Sequence, residues 1–584
     1  MASKKNTGCP ETNGKDIIII GIDFGTTYSG VAYTWSNKAD RLEVITSWDS
    51  DLHANSDLEK APTTLAFESK PTNVTWGYSI PQDSEQAKWF KLLLVDSNDL
   101  PESVQNSDRV KQAGAYLRKH NKTALEVIGL YLRHLWNHAT QRITETVGRA
   151  TVNSSKFDVL ITLPAIWPVY AQHRMRDAAK IAGILGPWDA GPTTLTFLSE
   201  PEAAAIATLS DMQDRCDIKA SRAGDSFVVV DCGGGTVDLI GYEMVGLAPP
   251  TVKECVKGQG DLCGAIFVDD AFTKLLKHKL GPWQWGRLTD ESRRRIQHDE
   301  WEHGIKSQFD GSWKEWRINI PWECLSPGDL IAAQLSIPKL VLTSTDIQLV
   351  FDPVVDKIHF MVQSQIAAVL EKKGKAPKYV ILVGGFGLLQ SRGANPWTAI
   401  CRGAVIHGAS SKRLSCFAVD VQARVSRASY GIVRDVPWNA EIHDPAHKIF
   451  KEAVQDWRAK DQVRWFLKVG DLVTPHKRFM RSLRKYYKTD DSQEQIITTR
   501  IYHSSCVSPP KAKNDHVTTL CRIVWDSKID VTSLPTYINS LGKVFYVLHY
   551  TVEMTVEGGI LDFAVYHKGK RQGGKSVVVD FEIA

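Results

Sequence analysis

IIIIGIDFGTTYSGVAYTW, residues 17–35, decides how the rest of the chain is read, because FVVVDCGGGTVDLIGYEM, residues 227–244, repeats its plan. Each copy is an apolar strand, an Asp at the strand's end (Asp23, Asp231), a turn rich in Gly and Thr, and a second strand. Gly25, and Gly233, Gly234 and Gly235, carry no β-carbon, so the backbone can bend tightly there and bring N–H groups against phosphate oxygens. Thr26, Thr27 and Thr236 add hydroxyl donors. A carboxylate repels phosphate, but it suits a hydrated divalent cation held between protein and phosphates. One Gly-rich turn between strands is an ordinary hairpin, whereas two facing each other make a clamp. The duplication predicts phosphate binding between two lobes.

Both hairpins, in this order, resemble the actin-like ATPase superfamily, and the segments between them resemble the heat-shock-protein-70 chaperones. DVLITLPAIWP (158–168), HRMRDAAKIAGI (173–184) and LSEPEAAAIATL (198–209) are similar to that family's run between its phosphate hairpins. YVILVGGFG (379–387) is similar to its nucleotide-closing Gly-Gly turn. The resemblance extends over residues 17–410 and fits the divergent branch whose members keep the ATPase domain with an altered carboxyl half. It implies an α/β fold class: an actin-like ATPase domain of two duplicated, ribonuclease-H-like lobes, followed by a smaller β-rich C-terminal domain.

The resemblance also implies roles. Asp23 and Asp231 match the carboxylates that hold magnesium through water and orient the attacking water, with Asp238 assisting the metal from behind. Lys91, in WFKLLL, matches the lysine that stabilises charge on the γ-phosphate, and Thr236 the hydroxyl near it. Glu200, in SEPEAA, matches the acid beside the metal, and Pro201 the proline that reports nucleotide state. Gly25, Thr26, Thr27, Tyr28, Gly233, Gly234, Gly235, Thr236, Gly264, Lys306, Gly384, Gly385 and Phe386 are the expected contacts to ATP or ADP. Phosphoryl transfer to water rests on positioning and charge neutralisation, which this set supplies. Departures from the family pattern fall on the adenosine side. In DEWEHGIKSQFDG only Lys306, with Glu302 near it, corresponds to the family's polar helix. Phe386 replaces a small polar residue, Leu388 stands where an Arg stacks on the base, and one Gly pair is reduced to Cys263-Gly264.

Periodicity outlines the organisation. Leu125, Ile128, Leu132, Leu135 and Ala139 recur at helical spacing, and residues 158–164 read as a short buried strand ended by Pro164. Gly183 and Gly186 close the next helix. From Tyr430 the chain alternates like half-buried strands at 464–469, 496–502, 520–525 and 543–556, and Gly558-Gly559 turns into 561–566 with Leu561, Phe563 and Val565 on one face. The expected division is a disordered segment at 1–15, a nucleotide-binding domain at 16–410 with lobes at 16–210 and 211–410, a linker at 411–430, and a β-rich client-binding domain at 431–584.

A chain of 584 residues is long enough for several domains. Its net charge of +5 is small for that length and argues against nucleic acid as the main partner. No run of about eighteen apolar residues appears, and MASKKNTGCPETNGKD has no apolar core of a signal peptide. Ten cysteines without a Cys-x-x-Cys pair read as reduced packing residues in a cytoplasmic, or nuclear, protein. The tryptophans at 283, 285, 301, 313, 316 and 322 read as core packing rather than a binding surface. GKRQGGKS, residues 569–576, fits the P-loop pattern by letter but is followed only by a strand, so it reads as a hairpin turn. The basic run from Lys477 to Lys488 reads as a solvated helix or loop, and is the place to look for an acidic partner.

The reading that gathers these features is an ATP-binding, slowly ATP-hydrolysing chaperone of the heat-shock-protein-70 type, using Mg2+, binding client protein or peptide and served by co-chaperones. The alternatives are a nucleotide-binding scaffold without a chaperone cycle and a small-molecule kinase of the same superfamily. LSCFAVDV, residues 414–421, is the nearest stretch to the family's acidic-leucine linker.

Overall fold

The computed structural model describes residues 16–572 except 40, 49, 51–57, 68–73, 82–83, 101, 106, 166, 168, 213–221, 248–249, 327–337, 387–395, 413, 415–418, 475–476, 490–493, 526 and 558–559. The expected disordered segment at 1–15, Leu388 and the end of the P-loop-like run lie outside the described residues. Contacts divide the chain into two compact units: one of 1–252 with 258–420, the other of Lys253–Lys257 with 421–584.

The first unit is built on two sheets. Strand β1 (Ile17–Asp23) is buried from Ile18 onward and pairs antiparallel with β2 (Tyr28–Trp35). The short β3 (Glu43–Val44) and β4 (Ala61–Pro62) both lie against β2. Helix α1 (Ala124–Val147) starts at a capping box in which Thr123 and Glu126 satisfy each other's backbone amides. Its apolar stripe, Val127, Ile128, Tyr131, Leu132, Leu135, Ala139 and Ile143, is buried. Strands β5 (Lys156–Leu163) and β6 (Thr194–Ser199) continue the sheet in parallel, giving the order β3-β2-β1-β5-β6. Both are connected by helices, α2 (Val169–Ala182) between them and α3 (Glu200–Met212) after β6, as parallel crossovers require. Gly183, at φ +85°, ends α2 where the sequence placed its stop.

The second sheet repeats the start of the first. Strand β7 (Ser226–Cys232) is buried throughout and pairs antiparallel with β8 (Val237–Leu247), which neighbours β9 (Pro250–Asp261). Helix α4 (Ala265–Arg287) breaks at Gly281, φ +77°, ahead of Pro282. Helix α5 (Ser344–Lys373) begins at a second capping box, Thr343 with Asp346. Strand β10 (Tyr379–Val383) then joins β7 in parallel, so β7 holds the same place between β8 and β10 that β1 holds between β2 and β5. Helix α6 (Ala399–Ser411) lies on β1, where Gly21 leaves room for Ala404 and Val405.

The tryptophan expectation holds in part. Trp301 is fully buried against Phe272, ring centroids 4.1 Å apart, and Trp285 and Trp316 pack on the same core. Trp283 in α4, Trp313 in a loop and Trp322 at the start of a short 3-10 helix are exposed instead.

In the second unit, strand β11 (Asp420–Val425) and β12 (Ser429–Pro437) already occupy much of the segment expected as a linker. Strands β13 (Lys448–Lys451), β14 (Asp456–Leu467), β15 (Leu472–Val473), β16 (Arg478–Lys488), β17 (Thr498–Ser504), β18 (Thr518–Val524), β19 (Thr536–Ile538), β20 (Val544–Glu557), β21 (Ile560–His567) and β22 (Lys570–Gln572) follow. They form sheets in the orders β13-β14-β12-β17-β18 and β16-β20-β21-β22, with β19 on β20. One apolar cluster draws on both, including Ile432, Phe466, Ile501, Leu548, Val552 and Val565. The basic run is therefore strand β16, not helix or loop. Phe479 and Leu483 pack on the cluster while Arg478, Met480 and Arg484 face water, an alternation hidden by the density of charge. Lys568 and Gly569, both at positive φ, make the turn between β21 and β22, as a two-residue hairpin requires.

Candidate functional site

The register of the two hairpins fixes the site. Asp231 is paired across its hairpin with Asp238, whereas Asp23 is paired with Gly30. All three carboxyls are buried, and so are Lys91 and Glu200. Lys91 stands in a short 3-10 helix, Phe90–Leu94, entered by Trp89 in the left-handed region at φ 58°. Its Nζ lies 2.6 Å from Glu200 Oε1 at the head of α3, and within 5.4–5.7 Å of the Trp167 and Phe24 ring centres. Pro201 follows in the first turn of the same helix, where a missing N–H costs nothing.

The two turns come together. A β-carbon on Gly235 would lie 3.0 Å from Thr26 Oγ1, and one on Gly234 would collide with Thr27. Gly233 N donates to Thr236 O at 2.9 Å, closing the turn, while Thr63 N donates to Thr27 O at 2.8 Å. Three carbonyls of the second turn are spent on α4: those of Gly235, Gly233 and Gly234 accept from the amides of Gly264, Ala265 and Ile266. The turn amides of Gly234 and Gly235 make no hydrogen bond among the described residues, which leaves them for an anion. Gly384, at φ +85°, passes so close that its β-carbon would sit 2.5 Å from Asp231 Oδ1.

Electrostatics set this cluster apart from ordinary strand ends. Burial, reinforced by the charges of Glu200, Asp238 and Asp23, holds Asp231 well above the usual carboxylate range. Burial and Glu200 push Asp238 up to about 7, against the pull of Thr236 and Lys91. Burial also raises Glu200, although Lys91 draws it down. Asp231 Oδ1 has no hydrogen-bond partner among the described residues. Four carboxyls here face two ammonium groups, Lys91 and Lys60, so two negative charges are left without a counterion when all ionise. Among the described residues no three His, Cys, Asp or Glu side chains are grouped for direct coordination. The donor set therefore fits a divalent cation held largely through water, with Asp231 and Asp238 nearest to lacking a counter-charge.

The adenosine-side candidates are arranged differently. Lys306 is bound between Asp269 Oδ1 at 2.8 Å and Glu302 Oε2 at 2.7 Å, and these charges raise it despite its burial. Burial, with the charges of Tyr78, Glu302 and Asp269, raises the Tyr28 phenol, so the first hairpin senses the Lys306 cluster. Tyr28 meets Trp397 edge-on at 5.7 Å, and a β-carbon on Gly385 would lie 3.3 Å from the Trp397 indole nitrogen. Phe386 is tied to Cys232 O through its amide and turns its ring toward Phe351, with centroids 6.5 Å apart. Gly264 is the N-cap of α4, and Cys263 is buried with its Sγ 3.8 Å from the Met361 sulfur.

Lys60, Asp269 and Trp397 were not found from sequence. Each reaches the site from a loop or helix distant in the chain, and EKAPTT around Lys60 carries no pattern that marks it. None of the seven described cysteines is in a disulfide, and six are buried, as packing residues are. Among the described residues no helix is long and apolar enough to cross a membrane.

Comparison with known proteins adds family context. A family model described as "Domain of unknown function (DUF8568)" matches residues 424–579. Heat shock 70 kDa protein 12A of Mus musculus is 26% identical over 447 residues, which is 63% of this chain and 64% of that protein. Heat shock 70 kDa protein 12B of Homo sapiens is 28% identical over 324 residues, 45% of each. A Chaperone protein HscA homolog of Acinetobacter baumannii (strain AYE) is 26% identical over 234 residues, 38% of this chain and 32% of that protein. These relatives are members of the heat-shock-protein-70 family, within the actin-like ATPase superfamily, as the sequence motifs implied. The chain spans about 64% of the length of the first of them.

Proposed function

We propose that residues 16–410 form a two-lobed, actin-like nucleotide-binding domain that binds ATP and hydrolyses it slowly to ADP and phosphate. The observation that carries this reading is the burial of Asp23, Glu200, Asp231 and Asp238 in one cluster with only two lysines, beside glycine turns with unspent amides. Such a cluster is unfavourable in an empty core and becomes favourable when a cation enters it, with the phosphates held on the turn amides. A magnesium ion held by Asp231 and Asp238 through water would neutralise phosphate charge. The turn amides of Gly234 and Gly235 bind phosphate oxygens, and Lys91 and Thr236 face the γ-phosphate. Asp231 accepts a hydrogen bond from the attacking water and orients it in line with the bond that breaks. Lys91 is kept extended by Glu200, so it reaches the site with its geometry already set.

Residues 431–584 are the proposed client-binding part, and a cytoplasmic setting goes with this reading. A second reading, a nucleotide-binding scaffold without a chaperone cycle, is favoured by the adenosine side. There Lys306 is already bound by two carboxylates and Phe386 lies toward Phe351. Binding of ATP and single-turnover hydrolysis, compared among the native chain and Asp23→Ala, Lys91→Ala and Thr236→Ala, separates the two. Binding with turnover that Lys91→Ala abolishes supports the ATPase, and binding without turnover supports the scaffold. Absence of any binding refutes both.

A further inference from the structure

Where the second hairpin sets a carboxylate opposite its strand-end Asp, the first sets Gly30 opposite Asp23. The space is filled by another residue. A β-carbon on Gly30 would lie 3.0 Å from Lys60 Cγ, 3.3 Å from its Cε and 3.5 Å from its Cδ, so the lysine stem runs over the bare glycine. Its Nζ ends 2.5 Å from Asp23 Oδ2, with only 7% of the lysine side chain and 4% of the aspartate side chain exposed. The backbone is anchored as well. Tyr78 Oη donates to Lys60 O at 3.0 Å, and the next residue, Ala61, pairs with Ser29 in the sheet. The Asp23 carboxylate bonded to Nζ keeps the lysine an ammonium in this buried place.

The geometry points to Lys60 as a resident cation of the nucleotide site, neutralising Asp23 and holding the place that a divalent ion would otherwise take at that carboxylate. A divalent ion approaching Asp23 meets an ammonium already bonded to it, and like charges this close repel strongly in a buried setting. The ion is therefore confined to the side of Asp231 and Asp238. This inference rests on the nucleotide reading above for its ligand, but not for its effect on metal.

The test uses the full chain, with Lys60→Met, Lys60→Gln as a second variant should the first melt early, and Lys60→Arg as the charge-keeping control. Two measurements are made: binding of ADP by calorimetry in excess Mg2+ and in excess EDTA, and binding of Mn2+ alone by electron paramagnetic resonance. In EDTA, Lys60→Arg is expected to bind ADP within about threefold of the native chain, whereas Lys60→Met, whose Asp23 has lost its counterion, binds it about tenfold more weakly. Mn2+ alone is expected to bind Lys60→Met about tenfold tighter than the native chain, since Asp23 is released to it. A Lys60→Met chain that binds ADP in EDTA as tightly as the native chain, or that binds Mn2+ no tighter, overturns the inference. If no variant binds ADP in either condition, the nucleotide reading fails, and the Mn2+ comparison still decides the place of Lys60.

Discussion

Gly384 stands so close to Asp231 that a β-carbon added to it would lie 2.5 Å from Oδ1 of the carboxylate, and its φ of +85° is one that a side chain rarely tolerates. The turn after β10 and the strand end of β7 are thus fitted to each other with no space for a methyl group. Gly384→Ala is expected to cost about 1–3 kcal/mol from backbone strain alone. It is also expected to displace the Asp231 carboxyl. Thermal melting with and without ADP measures both: a lower melting temperature together with loss of the ADP-induced rise is the expected pair.

Asp238 gives the metal-free protein a pH dependence of definite sign. Its folded value of about 7 lies above the ordinary carboxylate value, so the folded chain keeps a proton that the unfolded chain releases. Its contribution is therefore fully favourable below about pH 4 and declines until about pH 7, where it levels off. Stability in EDTA is expected to fall by a few kcal/mol, roughly, between pH 5 and pH 8. Asp238→Asn, which cannot ionise, removes the Asp238 share of that fall and leaves the share of Asp231 and Glu200, which burial also raises. Denaturant titrations across the range check it, and a native chain as stable at the upper end as at the lower contradicts it.

Lys91 and Glu200 form a buried pair, and each depends on the other. Lys91→Met leaves a buried carboxylate without its partner, for an expected loss of about 3–5 kcal/mol. Combining it with Glu200→Gln recovers most of that loss. A double-mutant cycle in urea reads the coupling directly, and strictly additive losses would count against the pair.

The tryptophans are separated by their surroundings. Trp301→Ala removes a fully buried ring stacked on Phe272 and is expected to cost about 3–5 kcal/mol. Trp313→Ala and Trp322→Ala, on exposed rings, stay within about 0.5 kcal/mol of the native chain. Equilibrium unfolding of the three variants ranks them.

What the sequence made legible was local. Asp23, Asp231, the Gly turns and Thr236 follow one another within a few residues, so the strand-turn-strand pattern carries them without knowledge of anything distant. The periodic helix through Leu125 and Ala139 and the alternating strands of 464–566 were legible for the same reason. Lys60 was not, since its meaning lies in Gly30 and Asp23, brought to it by the pairing of β4 with β2. The basic run was misjudged because a strand is signalled by alternation at a period of two, and charges at Arg478, Arg481, Arg484, Lys485 and Lys488 blur it. The tryptophan cluster was misjudged in half because proximity in sequence does not decide which side of an element faces the core.

The start of α4 is bonded through three successive amides to the three carbonyls of residues 233–235, so turn and helix start are a single rigid body. From Ala265 to the break at Gly281 the helix runs straight for about 24 Å at 1.5 Å per residue. A tilt of about five degrees at the turn therefore carries the far end by about 2 Å. Just past the break stands Trp283, half exposed, with Arg287 over its ring. Helix α4 is in effect a pointer mounted on the phosphate turn, and the molecule carries its own fluorophore near the tip.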